Sequence, residues 1–399
     1  MKRIAIIGGG AAGLAAAISA GRTCKQRNEK AEIIVFESAD RIGKSIMASG
    51  NGRCNFSNKK MEAETYFNAT FVEEAYQVLP PSKVLDFFKQ IGLFFSEESE
   101  GRLYPLTNKA NTVLDVLRFA LEDISVTVIC NCAIHAVVPV DGLYVLTHEK
   151  GQTDFFDAVI VACGGSVVSH VLPTTYLYSE PHPLLGPLKT DTDYLRGLNN
   201  IRVKCAVSLV KSTQTIVEEG EVLFREYGVS GIAIFNLSRY AEPGDVIHID
   251  LLSHYSKDQL EGILQDRLTY LENRNALEFC AGIVQPAIAR AILKKVDLLP
   301  DAPLKKENMA KLAQAFKDFS LIVDDIGDVR QCQIKRGGFK IDCFDSHTMQ
   351  SKIDPGLFIV GESLDVDGPC GGYNLHWAWA SGIIAGRATI EFLAERISS

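Results

Sequence analysis

The sequence predicts an α/β chain whose parallel-sheet domain opens at the N-terminus, is interrupted by a two-part insertion, and is completed by the C-terminus. Three observations carry this. The first 37 residues read strand, glycine turn, helix, strand. Near residue 190 the texture changes to period-two alternation, and from 257 to 317 it reads as helix. After residue 335 a buried strand and a long helix restore the α/β pattern.

Each element follows from local chemistry. "KRIAIIGGG" is a buried-type strand entering glycines, and "AAGLAAAISAGR" is a small-residue helix with Gly21 as its expected stop. "AEIIVFE" is the next strand and ends at Glu37, which closes a βαβ unit. A helix is expected over about 82–91, capped by Ser82 and ended by Gly92. Another covers about 109–122, with Val113, Val116, Leu117, Ala120 and Leu121 as its apolar stripe. "SVTVI", "LYVLTH" and "DAVIVAC" read as strands, the last leading into Gly164 and Gly165. "IRVKCAVSLV" and "DVIHIDLL" alternate as antiparallel strands do. Pro286 suits the first turn of a helix with Ile288, Ala289, Ile292 and Leu293 on its apolar face. "GLFIVGE" is a buried strand, and "NLHWAWASGIIAGRATIEFLAE" is a long helix.

The bulk numbers bound the function. A chain of 399 residues, 47% hydrophobic and 23% charged, is expected to hold two or three soluble globular domains. The net charge of -8 speaks against a nucleic-acid partner. The apolar first 20 residues are broken by Gly8, Gly9 and Gly10 and are too short to span a bilayer, so neither anchor nor signal is expected. Ten cysteines show no paired C-x-x-C knuckle; "CNC" (Cys130, Cys132) and Cys332 stand outside metal spacing, and "PHPL" offers His182 alone. The expectation is a cytoplasmic protein with reduced thiols and no metal.

Gly8, Gly10 and Gly13 form G-x-G-x-x-G between a strand and a helix. The first permits the tight turn, the second lets backbone approach a pyrophosphate, and the third lets helix and strand pack. Ala11 and Ala12 place N–H groups at the helix start, where the dipole favours phosphate. Glu37 stands at the end of the second strand, where a carboxylate accepts hydrogen bonds from ribose hydroxyls. This is a Rossmann-like dinucleotide signature. Gly361 and Glu362 lie at a late strand's carboxyl end, and "GGYNLHWAWASGIIAG" opens a helix whose N-terminus suits developing negative charge. A reduced flavin carries such charge near N1, whereas a nicotinamide domain has no need of the second contact. A plain glycine-rich loop before an amphipathic helix is the alternative.

"GGGAAGLAAA", "GKSIMASGNGRCNFSN", "GRLYPLTNKANTVLDVL", "GEVLFREYGVSGIAI", "TMQSKIDPGLFIVGESLDVDG" and "GGYNLHWAWASGIIAG" together resemble, in order and over nearly the whole chain, the aminoacetone-oxidase and bile-acid-reductase-like family of FAD flavoproteins. The resemblance implies an FAD-binding domain over 1–190 and 335–399, an inserted β-barrel-like domain over 191–253 and 318–334, and a helical subdomain over 254–317. It implies that Lys44 and Ser49, Gly50, Asn51, Gly52, Arg53, Cys54 and Asn55 line the flavin, with Ala162, Gly164, Gly361, Glu362, Gly372, Asn374 and Leu375 completing the cofactor site. Gly50 to Gly52 would offer backbone N–H groups to the ring, and Arg53 would meet a phosphate or a substrate anion. The activities implied are enone reduction or amine oxidation through flavin N5, with a flavin-bound sensor or assembly protein of little turnover as the alternative. No second G-x-G-x-x-G is present, so NAD(P)H or oxygen would visit transiently.

Two departures stand out. The segment after Gly165 is shorter than in the family, and His376 occupies a usual glutamine position. His376 reads as a proton donor near the ring or as a packed neutral side chain. Cys54 reads as a flavin neighbour or as a small half-buried turn residue.

Overall fold

The computed structural model describes every residue except Val168, Thr213 and Ser399, and gives no side-chain account of Ser166, Ile397 or Ser398. The chain forms two compact units, residues 1–182 with 334–399, and residues 183–333.

The first unit is built on a five-stranded sheet in the order Leu357–Ile359, Ala158–Val161, Lys2–Ile7, Ala31–Phe36, Thr127–Ile129. All its neighbours are parallel, with Ile4 opposite both Ala158 and Ile33. Buried apolar runs such as "IAII" and "AVIV" suit a sheet covered on both faces. Ala11–Arg27 packs against the last helix, Tyr373–Ser398, at backbone distance. A Cβ at Gly382 would lie 2.3 Å from the Ala12 carbonyl oxygen, and one at Gly386 would lie 2.3 Å from that of Ala16. The two chain ends are thus locked through small residues, and the Ser19 hydroxyl donates to the Ile383 carbonyl (2.7 Å).

Two sequence expectations are corrected here. Gly21 does not stop the first helix, which runs on to Arg27. The missing side chain instead makes room for Ile124, whose Cδ1 would lie 2.5 Å from a Cβ at that position. Ser82 does not cap its helix, because Pro81 takes the first turn of Pro81–Gln90 and Pro80 is the cap.

The second unit is a closed six-stranded barrel with helices packed on it. Its strands run Leu188–Thr190, Gly228–Ser230, Thr215–Arg225, Arg202–Val210, Val246–Asp250 and Phe319–Ile326, the last pairing back to the first. Cys205, Val207 and Leu209 alternate into the core as strand pleating requires. Lys257–Tyr270, Ala276–Cys280, Pro286–Lys295 and Asn308–Lys317 share that core. Ser256 and Gln259 form a capping box at the first of these helices.

Candidate functional site

The glycine turn is held from below by the sheet. Gly8 N–H donates to the Phe36 carbonyl (2.7 Å). A Cβ at Gly8 would sit 2.3 Å from the Ala162 carbonyl oxygen, and one at Gly13 would sit 1.9 Å from that of Gly8. Gly10 differs: the nearest atom to a Cβ there is Ser45 Oγ at 3.4 Å, so the turn is open on that side. Ala11 and Ala12 start the helix, whose cap residue Gly10 offers no side chain to its free N–H groups. The Glu37 carboxylate is aimed by two amides, Gly9 N–H to Oε2 (2.8 Å) and Ala39 N–H to Oε1 (2.7 Å).

The late strand end joins this turn. A Cβ at Gly361 would meet the Ala12 methyl at 3.1 Å. Gly165 N–H donates to Glu362 Oε2 (3.2 Å), which brings Gly164 beside the same carboxylate. Burial pushes the Glu362 carboxyl up to about 7, opposed by that amide, and the nearby Asp367 charge adds to the rise.

The second sequence block lies on Ser49–Gly52, a turn with Gly50, Asn51 and Gly52 all at positive φ (57°, 55° and 80°), followed by Cys54 at 58°. Left-handed backbone at two non-glycine residues is stored strain, held by surrounding contacts. Those contacts run to the last helix. The Ser57 hydroxyl pairs with His376 Nδ1 (2.8 Å), Trp379 Nε1 donates to the Phe56 carbonyl (3.0 Å), and Asn58 Nδ2 donates to the Gly371 carbonyl (3.0 Å). Phe56 sits edge-on to Phe88, and Phe88 to Trp379, at 5.0 Å each. A Cβ at Gly372 would lie 2.3 Å from the Ser57 carbonyl oxygen, so the two segments touch through backbone. Asn374 closes the loop before the helix, accepting from Gly368 N–H (2.7 Å) and donating to its carbonyl (2.8 Å). Leu375 is half-buried at the core edge.

Other sequence candidates lie elsewhere in their chemistry. Lys44 is half-exposed and pairs with Asp40 (2.6 Å). Arg53 stacks on Tyr104 at 4.1 Å and gives its guanidinium to Glu98 and Asn108 (2.6 Å). Cys54 is fully buried rather than half-buried, and burial pushes its thiol up to about 12. His376 is also fully buried, edge-on to Tyr76 at 5.8 Å, and burial lowers it to about 3. It is neutral at physiological pH.

Sequence reading missed two buried straps. Asp367 is 0% exposed and meets Arg336 through two hydrogen bonds (2.6 and 2.9 Å); Asp365 is 2% exposed and pairs with Lys340 (2.5 Å). The signal was the alternating carboxylates of "LDVDG" facing the cations of "KRGGFK". Among the described residues, no group of three or more metal-ligating side chains converges, and no helix is long and apolar enough to cross a membrane.

Residues 2–388 match the model of the HI0933-like protein Rossmann domain. The chain belongs to this family. A 3-dehydro-bile acid delta(4,6)-reductase of Clostridium scindens is 30% identical, over 98% of this chain and 100% of its own. A ribosomal RNA dihydrouridine synthase of Escherichia coli is 26% identical, over 94% of this chain and 95% of its own. A solved flavocytochrome c3 fumarate reductase is 15% identical, with 98% of this chain and 78% of that one covered and a TM-score of 0.45. This HI0933-like chain is a flavin-type oxidoreductase by its family.

The residues fit a flavin dinucleotide. The open side of Gly10 beneath a helix N-terminus suits a pyrophosphate. Asn55 Oδ1 is buried without a hydrogen-bond partner, next to Gly372 at the start of the last helix. A buried acceptor of that kind calls for a donor, and the flavin ring carries one at N3.

Proposed function

We propose that the protein is an FAD-dependent oxidoreductase that reduces a carbon–carbon double bond conjugated to a carbonyl in a small molecule. The carrying observation is the clasp of two helix N-termini: the open Gly10 turn for a pyrophosphate, and the Gly372 end with its unpaired Asn55 oxygen for the ring. When bound, FAD supplies hydride transfer at N5. The chain's own part is to bind and orient. Glu37 with Gly9 and Ala39 presents a carboxylate to the ribose, and the Ser57–His376 and Phe56–Trp379 bonds hold the ring wall. Neutral His376, paired with Ser57, positions the wall. Glu362, its carboxyl raised to about 7 by burial, can hold a proton near neutral pH.

The relatives' names support the reaction class. A delta(4,6)-reductase of a 3-dehydro-bile acid and a dihydrouridine synthase both describe saturation of a double bond conjugated to a carbonyl. The more similar of the two names a small molecule, and the acidic chain suits that better than RNA. The test begins with the absorption spectrum of purified protein with added FAD. Anaerobic reduction by NADH or NADPH comes next, then turnover with enones, amines, oxygen and ribosomal RNA fragments as separate arms. Enone turnover well above free flavin is expected. Protein that stays colourless sinks the cofactor, activity on amines alone sinks the reaction class, and activity on RNA alone sinks the small-molecule substrate. Bound flavin with no turnover in any arm favours the sensor reading.

A further inference from the structure

Cys130 and Cys132 belong to no part of the flavin site, yet both line one open cavity of about 450 Å³ in the first unit. Asn131 between them is left-handed (φ 52°). The left-handed turn at Asn131 draws the Cα atoms of its two neighbours closer than an extended strand would. A disulfide needs Cα atoms roughly 4.4–6.8 Å apart, within reach of such a turn. The backbone here is tied to the acid that aims at the ribose. Glu37 N–H donates to the Ile129 carbonyl (2.9 Å), Asn131 N–H to the Ala39 carbonyl (2.8 Å), and Cys132 N–H to the Glu37 carbonyl (2.9 Å).

We infer that Cys130 and Cys132 form a reversible disulfide that loosens the Glu37–Ala39 segment and weakens cofactor binding. The cofactor half rests on the proposed flavin site; the thiol half does not. The oxidant is a small-molecule disulfide such as oxidised glutathione. The Cys130 thiolate attacks one of its sulfurs, forming a mixed disulfide and releasing one thiol. Cys132 then loses its proton and displaces the second thiol, so that two protein thiols and one disulfide become one protein disulfide and two small thiols. Burial raises the Cys132 thiol above its ordinary value, which suits it to the second, resolving step. Closing the short ring reshapes Asn131, and the three backbone bonds to Glu37 and Ala39 are the first contacts affected.

The test equilibrates the purified, flavin-loaded protein and its flavin-free form in glutathione redox buffers. Alkylation and peptide mass read the thiols, flavin fluorescence reads retention, and amide hydrogen exchange reads the 37–39 segment. The expected result is a single peptide carrying both cysteines that has lost two hydrogens, with faster exchange at 37–39 and about tenfold weaker flavin binding, a typical coupling. Linkage makes this reciprocal, so bound flavin shifts the disulfide potential by about 30 mV for that tenfold change. Cys130→Ser and Cys132→Ser each retain flavin and lose the response. A persistent glutathione adduct, or no reaction, overturns the disulfide. A disulfide that leaves exchange at 37–39 unchanged overturns the coupling. Protein that shows the exchange response but never takes up flavin refutes the proposed function and leaves the thiol switch standing.

Discussion

In the Gly8–Gly13 turn, backbone meets backbone: the Gly13 position lies 1.9 Å, and the Gly8 position 2.3 Å, from a carbonyl oxygen once a Cβ is drawn. In the Ser49–Asn55 loop the chain instead bends through four positive-φ residues, two of them Asn51 and Cys54, and side chains of the last helix pin Phe56 and Ser57 just beyond it. The first region is fixed by absence of side chains, the second by their presence. A motif of absences is short, local and readable in sequence. A motif of stitches draws its partners from residues more than 300 positions away, and its strain is visible only in φ.

The largest effect should come from breaking the first region at its tightest point. Gly13→Ala must displace the Gly8 carbonyl and should cost about 3 kcal/mol or more, at the upper end of overpacking. Gly10→Ala meets nothing closer than 3.4 Å and should cost less than about 1 kcal/mol, as an alanine cap does. It should nevertheless abolish flavin binding if the proposed pyrophosphate site is right, because the methyl fills the room that the proposal gives to it. Denaturant unfolding and flavin titration on the two variants separate folding from binding. A Gly10→Ala protein that binds flavin normally would overturn the placement of the pyrophosphate.

The second region gives a smaller, internal contrast. Gly50→Ala combines left-handed strain with a Cβ 2.7 Å from the Asn55 nitrogen, and about 2 kcal/mol is expected. Gly52→Ala has nothing within 4 Å and carries the strain alone, about 1 kcal/mol. Equal losses would show that space at Asn55 plays no part in holding the loop.

Opposite burial effects at Glu362 and His376 give the two sides of the site opposite pH slopes. Glu362 is raised to about 7, so between pH 4.5 and 7 the folded chain binds more protons than the unfolded one, and its contribution falls as pH rises. His376 is lowered to about 3, so between pH 6.5 and 3 its contribution is lost as pH falls. Glu362→Gln should therefore make the slope of stability against pH between 4.5 and 6.5 more positive, and His376→Gln should make it more negative. Each change is on the order of 1 kcal/mol across the window, reduced at Glu362 by its partial exposure. Unfolding of flavin-free protein in urea at several pH values reads both. Parallel curves for both variants and the parent would mean that neither group is perturbed.

The fold was legible because its signals are periodic or punctuated. Buried strands, the glycine turn and Pro286 sit where chemistry requires. Gly21 shows the limit: in a helix interior, its meaning depends on Ile124, which sequence order does not reveal. At the site, "GRCNFSN" and "GGYNLHW" were visible as blocks, but not the bonds that join Ser57, Phe56 and Asn58 to the last helix. Nor were the Arg336–Asp367 and Lys340–Asp365 pairs, since each needs a carboxylate about 25–30 residues from its cation to be buried beside it.

Lys44 offers the finest discrimination. It starts the short helix Lys44–Ala48, one residue after Gly43, whose N–H donates to the Gly9 carbonyl (2.8 Å), so its backbone is anchored to the glycine turn. Its ammonium, however, turns outward to Asp40, and both partners are at least half-exposed. An exposed i,i+4 pair contributes little to stability. Lys44→Ala should therefore leave stability nearly unchanged and flavin affinity within about twofold, while Asp40→Asn should have the same small effect. Isothermal titration with FAD at low and high salt decides the matter. A tenfold loss for Lys44→Ala but not for Asp40→Asn would show that the side chain swings from Asp40 to the cofactor on binding. The glycine turn would then be held at one point by a side chain rather than wholly by absences, and the contrast with the Ser49–Asn55 loop would narrow at that residue.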